Sequence, residues 1–433
     1  MSERRSPRAS GLDVYLFPAV VGGGLGDIEE VLLAGRRLER AGFLPILFRR
    51  PGTPLPRSVP GPWGWPRVRR VDRVAPRSPR ALTLSAWWGV CAAPPSDRPF
   101  GRPGPWAEEA AEIERVYGPD RVLHVSFEEF ARTLTSREQT GERWREGGVA
   151  VREIRRRLRD GRHEAEIQEF RAAFERFRGF DRPDVLHLYP TFARSRTFAR
   201  EFPRAVQTGP FWPEPPPSRR TSDPRRWIWY ASPSSSPLLA SQIARAWSPR
   251  RPSVTIEVRA PTRFPLPSAP GLRWRWIPPL SYPAWHRRFA TAGVRIVTGS
   301  RTLLEALVVG GPFLYFNGVT GTGRGARRHR PEKIDNLLRA WKRARVSPRL
   351  RTDLADFSRL RAVRRVVDRA RSDPAWSRAF PQRHPPRGFR PPFDDAGALV
   401  EGVARTFAEG TMGASELVAR VRAGRLSPLR RPA

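Results

Sequence analysis

The sequence predicts an α/β protein built from two doubly wound halves. Three observations carry that prediction. Short apolar runs alternate with helical stretches along most of the 433 residues. A glycine run, Gly22-Gly23-Gly24-Leu25-Gly26, follows the first apolar run directly. A proline cluster from Pro210 to Pro217 divides the alternation into two parts. Such alternation folds as a parallel sheet with helices on both faces.

Leu12 to Phe17 is a short apolar run containing aromatic residues, the pattern of a buried strand. Ile28 to Ala41 then reads as a helix. Ile28, Val31, Leu32 and Leu38 share one face, and Gly42 stops it. Phe43 to Phe48 is a second strand, completing a right-handed βαβ unit. Residues 51 to 80 are rich in Pro, Arg and Trp without a period and predict a long surface excursion. Val122 to Phe127 and Val185 to Tyr189 predict further strands, with a charged helical insert from Gly141 to Phe180 between them. In the second half, Trp227 to Ala231 predicts a strand, Ser232 to Ser236 a turn, and Leu238 to Trp247 a helix. Val254 to Val258 and Leu272 to Ile277 predict strands, and Ala284 to Ala292 a helix. Val294 to Val297, Thr302 to Val309 and Pro312 to Phe316 follow as strand, helix and strand. Pro374 to Pro392 is again rich in Pro and Arg, and helices near 395–409 and 413–423 close the chain. The boundaries predicted are 11–209 for a first Rossmann-like domain, 210–226 for a linker, 227–375 for a second such domain, and 376–433 for a closing segment. Two halves joined in this way predict a cleft between them.

Basic residues number 79 against 42 acidic, a net charge of +37. Lys333 and Lys342 are the only lysines, and Asn317 and Asn336 the only asparagines. With 48 prolines and 35 glycines this points to a GC-rich coding bias, so the charge is only partly a functional signal. It gives general affinity for phosphates and an anionic membrane surface. No stretch combines a recognition-helix pattern with a dimer signature, and a dedicated nucleic-acid partner is not expected. One cysteine, Cys91, excludes an internal disulfide and any multi-cysteine metal site. Six scattered histidines without an HExxH spacing predict no metal centre. Asp13, Pro18 and the glycine run interrupt the N-terminal apolar stretch, so a signal peptide is not expected. The longest uncharged apolar run, Ala81 to Ala93, is too short to span a bilayer. A cytoplasmic protein is expected. Trp87 and Trp88, with arginine-rich flanks, are the residues that could dock it peripherally on the inner membrane face.

The strongest local signal is the spacing G-x2-T-x2-E-x4-G-x-P, from Gly299 through Thr302, Glu305 and Gly310 to Pro312, at a strand-to-helix junction. Glycine lets backbone approach a phosphate, and the free N–H groups of Gly299 and Ser300 with the helix dipole attract that anion. Thr302 adds a hydroxyl. Glu305, one turn on, can accept hydrogen bonds from a ribose diol. An N-cap with a capping-box-like glutamate describes Thr302 and Glu305 equally well, but not the downstream glycine and proline. Gly318 to Gly325, with Arg324, is a basic glycine-rich loop that either grips a pyrophosphate in place of a metal or is a solvated turn.

These motifs resemble those of GT-B glycosyltransferases, especially the N-acetylglucosaminyltransferase that completes lipid II. The resemblance implies that Glu305 holds the nucleotide ribose. Gly22 to Asp27, with Leu38 and Gly42, resembles the family's first-loop pattern G-G-x-G-G-H and the G-G-L-G-D of starch and glycogen synthases. It implies an acceptor-side loop containing Gly23, Gly24 and Gly26. Ser232 and Ser234 fall where the family has a second phosphate-contacting loop. Asp27 stands where the lipid II enzyme has His. An inverting transferase needs a base there, and a helix cap is the equal alternative. The retaining E-x7-E pattern is absent, because Val297 stands eight residues before Glu305. The family's sugar-reading Gln pair is missing too, and alignment on Asn336 puts Glu332 and Lys333 in its place. The Lys333 ammonium either reaches a diphosphate or sugar hydroxyl or is a solvated helix residue.

The expectation is a GT-B-like, metal-independent enzyme moving a sugar from a nucleotide-diphosphate donor, a UDP-sugar by resemblance, to an acceptor the sequence does not identify. Its charge is compatible with a lipid-linked acceptor. No cofactor is expected, the nucleotide-sugar being a substrate. One alternative is a nucleotide-sugar 2-epimerase, whose G-T-R-P-E signature is not present. The other is a non-catalytic basic binding protein, for which Glu305 would be dispensable.

Overall fold

The computed structural model describes residues 11–18, 26–48, 69–71, 73–93, 104–127, 135–213, 222–231, 236–247, 253–260, 262–280, 282–316, 319–320, 327–328, 332–381 and 389–426. They form two compact α/β units. The first takes the chain up to Phe211 and again from Phe389 onward, and the second runs from Trp212 to Gly388.

In the first unit the elements run β1 (Asp13–Phe17), α1 (Gly26–Arg40), β2 (Pro45–Phe48), β3 (Arg69–Val71), β4 (Ala81–Ala86), α2 (Trp88–Cys91), α3 (Ala107–Tyr117) and β5 (Val122–Phe127). There follow α4 (Ser136–Glu146), α5 (Val151–Asp160), α6 (Glu164–Arg178), β6 (Val185–Pro190), α7 (Arg196–Glu201) and β7 (Val206–Thr208). The sheet has the order β3-β2-β1-β4-β5-β6-β7, all parallel. Every residue of β1, β4 and β5 is buried. Helices on both faces explain why these strands read as continuous apolar runs rather than alternating ones. The order reverses between β1 and β4, whose C-terminal ends meet with Phe17 beside Ser85.

The expected surface excursion over 51–80 is corrected at one point. Arg69–Val71 is an edge strand, because its backbone pairs with Ile46, Leu47 and Phe48 of β2. The run Ala81 to Ala93, for which the sequence predicts no element, is β4 followed by α2, at the centre of the unit. Trp88 is 2% exposed and packs with Phe17, Cys91 and Trp106. Trp87 lies under a guanidinium, that of Arg178. Trp88 is therefore a core residue, while Trp87 is half-buried. Among the described residues, no helix is long and apolar enough to cross a membrane.

The second unit runs β8 (Asp223–Tyr230), α8 (Ser236–Ala246), β9 (Val254–Arg259), β10 (Leu272–Trp276), α9 (Tyr282–Ala290), β11 (Ala292–Val297), α10 (Ser300–Val309) and β12 (Phe313–Tyr315). A short antiparallel pair, β13 (Val319–Thr320) and β14 (Arg327–Arg328), precedes α11 (Glu332–Arg343), α12 (Pro348–Ser358), α13 (Val363–Ser372) and α14 (Pro374–Arg378). The parallel sheet has the order β10-β9-β8-β11-β12, with its reversal between β8 and β11. Arg295, 2% exposed on β11, holds the helices to this sheet. Its guanidinium donates to Phe289 O, Ala290 O and Gly310 O at 2.9–3.0 Å, the carbonyls ending α9 and α10. Burial, then the charge of Arg226, lowers its pKa to about 9. Carbonyl dipoles at two helix C-termini offset part of that desolvation.

From Phe389 the chain returns to the first unit. Gly209 N donates to Phe393 O at 2.7 Å, and Ala396 N to Pro210 O at 3.2 Å, so the outgoing and returning passages lie side by side. A Cβ on Gly209 would stand 1.9 Å from Asp394 O, which only glycine avoids. α15 (Ala396–Ala408) then packs on α1, where Arg37 pairs with Asp395 at 2.6 Å and Glu401 at 3.1 Å. α16 (Ala414–Arg422) closes the chain against β5 and β6.

Candidate functional site

In each unit some of the residues singled out by motif, Gly26 and Asp27 in the first and Gly299 to Glu305 in the second, follow a strand at which the sheet order reverses. There, neighbouring connections leave in opposite directions and open a crevice beyond the strand C-termini.

In the second unit this is the end of β8 and β11. Thr298 Oγ1 donates to Tyr230 O at 2.8 Å and ties the two strand ends together. Gly299 follows with φ −111° and ψ 167° as the residue before α10, and a Cβ there would approach nothing closer than 3.8 Å. At Gly299 the entry to α10 thus carries no side chain of its own, and a Cβ there would have room. Thr302 does not offer its proton to this opening as expected. Its hydroxyl donates to Gly299 O at 3.2 Å and accepts from Gly299 N at 3.3 Å, which fixes the loop instead. Ser300 begins the helix, and only its backbone is described.

Glu305 is 2% exposed, one turn further on. Arg301 Nε lies 3.3 Å from its Oε1, and Trp285 Nε1 donates to Oε2 at 3.4 Å. Trp285 stands edge-on to Tyr230, with ring centroids 5.8 Å apart. His286 completes the group. Burial lowers its pKa, the carboxylate of Glu305 raises it, and Arg301 and Arg295 lower it further, leaving the imidazole below its ordinary value. The motif thus gathers a buried carboxylate, a neutralising guanidinium, an indole and an imidazole. Arg301, at an unspecified position within the motif, and Trp285 and His286, on α9 outside its spacing, were not singled out as site residues.

On α11, Asn336 is 1% exposed and Lys333 is half-buried, while only the backbone of Glu332 is described. Ser232, Ser234 and Arg324 lie outside the described residues, as do Gly23 and Gly24 of the first loop. Gly26 and Asp27 are the first two residues of α1, which follows β1 at the reversal point of the first sheet. The helix ends as the sequence predicts. Gly42 has φ +95°, Gly42 N donates to Glu39 O and Phe43 N to Leu38 O.

The first unit holds a second polar cluster, at the opposite ends of its strands. His124 is fully buried on β5, with Nδ1 2.7 Å from Thr83 Oγ1, and Nε2 3.0 Å from Glu114 and 3.7 Å from Asp184. Among the described residues, these three are the one group whose ligand atoms could gather a metal ion. Arg182 already bridges both carboxylates, at 3.0 Å from Glu114 and in contact with Asp184. Burial would raise Glu114, but His124 and Arg182 bring its pKa down to about 2. The cluster is a closed ion-pair network whose cation is a side chain.

No family model matches the chain. No curated protein matches its sequence. Among solved structures, it is similar to the glycosyltransferase of kitacinnamycin, at 12% identity and TM-score 0.44, over 97% of this chain and all of that one. It is similar to a UDP-glucosyltransferase from Polygonum tinctorium at 12% identity and TM-score 0.44, over 92% of this chain and 98% of that one. It is also similar to sucrose-phosphate synthase from Thermosynechococcus elongatus, at 11% identity and TM-score 0.42, over 96% and 97%. These are distant likenesses. What the site does is read from its own residues.

Proposed function

We propose that the chain is a glycosyltransferase that takes its sugar from a nucleotide-diphosphate donor. The observation that supports this best is Glu305, a carboxylate buried one turn into the helix that begins at the reversal point of the second sheet. A diphosphate at the start of α10 meets the N–H end of the helix and the positive end of its dipole, with no side chain on Gly299 to block it. A ribose one turn deeper donates its hydroxyls to Glu305. The motif's resemblance to the lipid II enzyme favours uridine as the base. Arginine supplies the counter-charge for the departing diphosphate, from the segment around Arg324 and from Arg327 and Arg328 on β14, so that no metal is needed.

In this reading the first unit binds the acceptor, and Asp27 is its base. The acceptor oxygen attacks the anomeric carbon, and its proton passes to the Asp27 carboxylate. The bond from that carbon to the diphosphate breaks, and the nucleoside diphosphate leaves with the electron pair. One displacement inverts the anomeric centre. Incubation with a panel of UDP- and dTDP-sugars, following nucleotide release, tests the proposal. Release from one donor and not from others is expected. A chain that neither binds nor turns over any member of the panel is not a transferase of this kind.

A further inference from the structure

At the C-terminal end of β4 the first unit carries one residue that is unfavourable in two separate ways. Trp87 has φ +62° and ψ +78°, in the left-handed region where a Cβ is crowded. Its indole Nε1 is buried and has no hydrogen-bond partner among the described residues. Neither feature belongs to a loose segment. Trp87 N donates to Phe127 O at 2.9 Å, and Trp88 N donates to Ser126 Oγ at 2.8 Å. A Cβ on Gly89 would lie 2.0 Å from Phe177 O, so α2 is pressed against the end of α6. From that end the buried guanidinium of Arg178 covers the indole of Trp87, 4.3 Å from its centroid.

Glycine is the residue this backbone favours, and the largest side chain stands there instead. Trp87 is half-buried. Its N–H is enclosed and Arg178 covers the ring from one side, while the residue as a whole keeps part of its surface open to solvent. Its place is informative too. Ser85 pairs with Phe17, so Trp87 emerges beside the exit of β1, the strand whose loop leads to Asp27.

We propose that Trp87 is the stacking platform of the first unit's ligand crevice and selects a partner with an apolar ring face, either a planar aromatic ring or the hydrogen-bearing face of a sugar. Calling that partner the acceptor rests on the transferase reading above; the stacking itself does not.

Saturation transfer from the protein to 4-nitrophenol and to methyl β-glucoside, with calorimetry of UDP on the same samples, tests this in wild type, Trp87→Gly and Trp87→Asn. Gly and Asn both tolerate positive φ, so both variants should melt within about 3 °C of wild type or above it. Wild type should bind at least one probe, and both variants should lose about tenfold or more in that affinity with UDP binding unchanged. Binding of the phenol alone marks an aromatic partner; binding of the glucoside alone marks a carbohydrate. Equal probe binding by wild type and variants overturns the proposal, as does a wild type that binds neither probe. A fall in melting temperature beyond about 8 °C in both variants also overturns it, because the ring is then a packing element. Absence of UDP binding in all three proteins counts against the transferase reading alone, since the probes report the ring contact directly.

Discussion

Glu305 and Glu114 are both carboxylates held beside an arginine, and they differ in where they stand. Glu114 is surrounded by His124 and Arg182 at 3.0 Å each, at the end of the sheet away from the reversal point. Its role is stability. Its pKa of about 2 lies below the ordinary 4.5, so its contribution is fully present above that ordinary value and is lost as pH falls toward 2. Glu114→Gln should cost about 1–2 kcal/mol near neutral pH, allowing for partial exposure, and the deficit should shrink as pH drops through that window. Thermal melts of both proteins over the acid range check this; a deficit independent of pH would remove the linkage. Asp27 is the proposed base. Asp27→Asn should lower turnover by about two to four orders of magnitude with nucleotide affinity kept. Normal turnover with a lower melting temperature would make it a helix cap.

At the scale of elements, most strands and helices were legible, because buried parallel strands leave short apolar runs between helical stretches. Leu12 to Phe17, Val122 to Phe127 and Val294 to Val297 all form strands within a residue or two of where the sequence puts them. The run at Ala81 was not read as a strand. Its uncharged sequence continues without a turn signal into Trp87 and Trp88, and nothing local marks where β4 ends and α2 begins. α11, α12 and α13 were also unassigned, their apolar positions being diluted by arginines that pair in the fold, as Arg369 does with the buried Asp353. The position of Glu305 followed from motif spacing, whereas Arg301, Trp285 and Trp87 needed the third dimension. Gly209 is a further case, since its meaning lies in a backbone met nearly two hundred residues later. Gly209→Ala should destabilise the first unit by about 2–4 kcal/mol, because the obstruction is the carbonyl of Asp394 and not a movable side chain. Urea denaturation checks this, and an unchanged midpoint would mean that the two passages are not held together.

For the whole molecule, the net charge of +37 divides between coding bias and structure. Arg295 ends two helices, Arg37 docks α15, and Arg288 holds the buried Glu257. The rest makes a surface whose affinity for polyanions is general. Co-sedimentation with anionic vesicles should be lost steeply on raising salt to about 0.5 M, as counterion release requires, with no apolar remainder now that Trp88 is in the core. Salt-resistant binding would point to an apolar membrane contact elsewhere. The central claim, that the second unit binds a nucleoside diphosphate through Glu305, is tested most directly by calorimetry of UDP with wild type and Glu305→Gln. Wild type should bind, and the variant should bind more weakly by about 1–3 kcal/mol, the scale of a lost charge-assisted hydrogen bond. Equal affinity in the two proteins would contradict the assignment of this crevice to the donor.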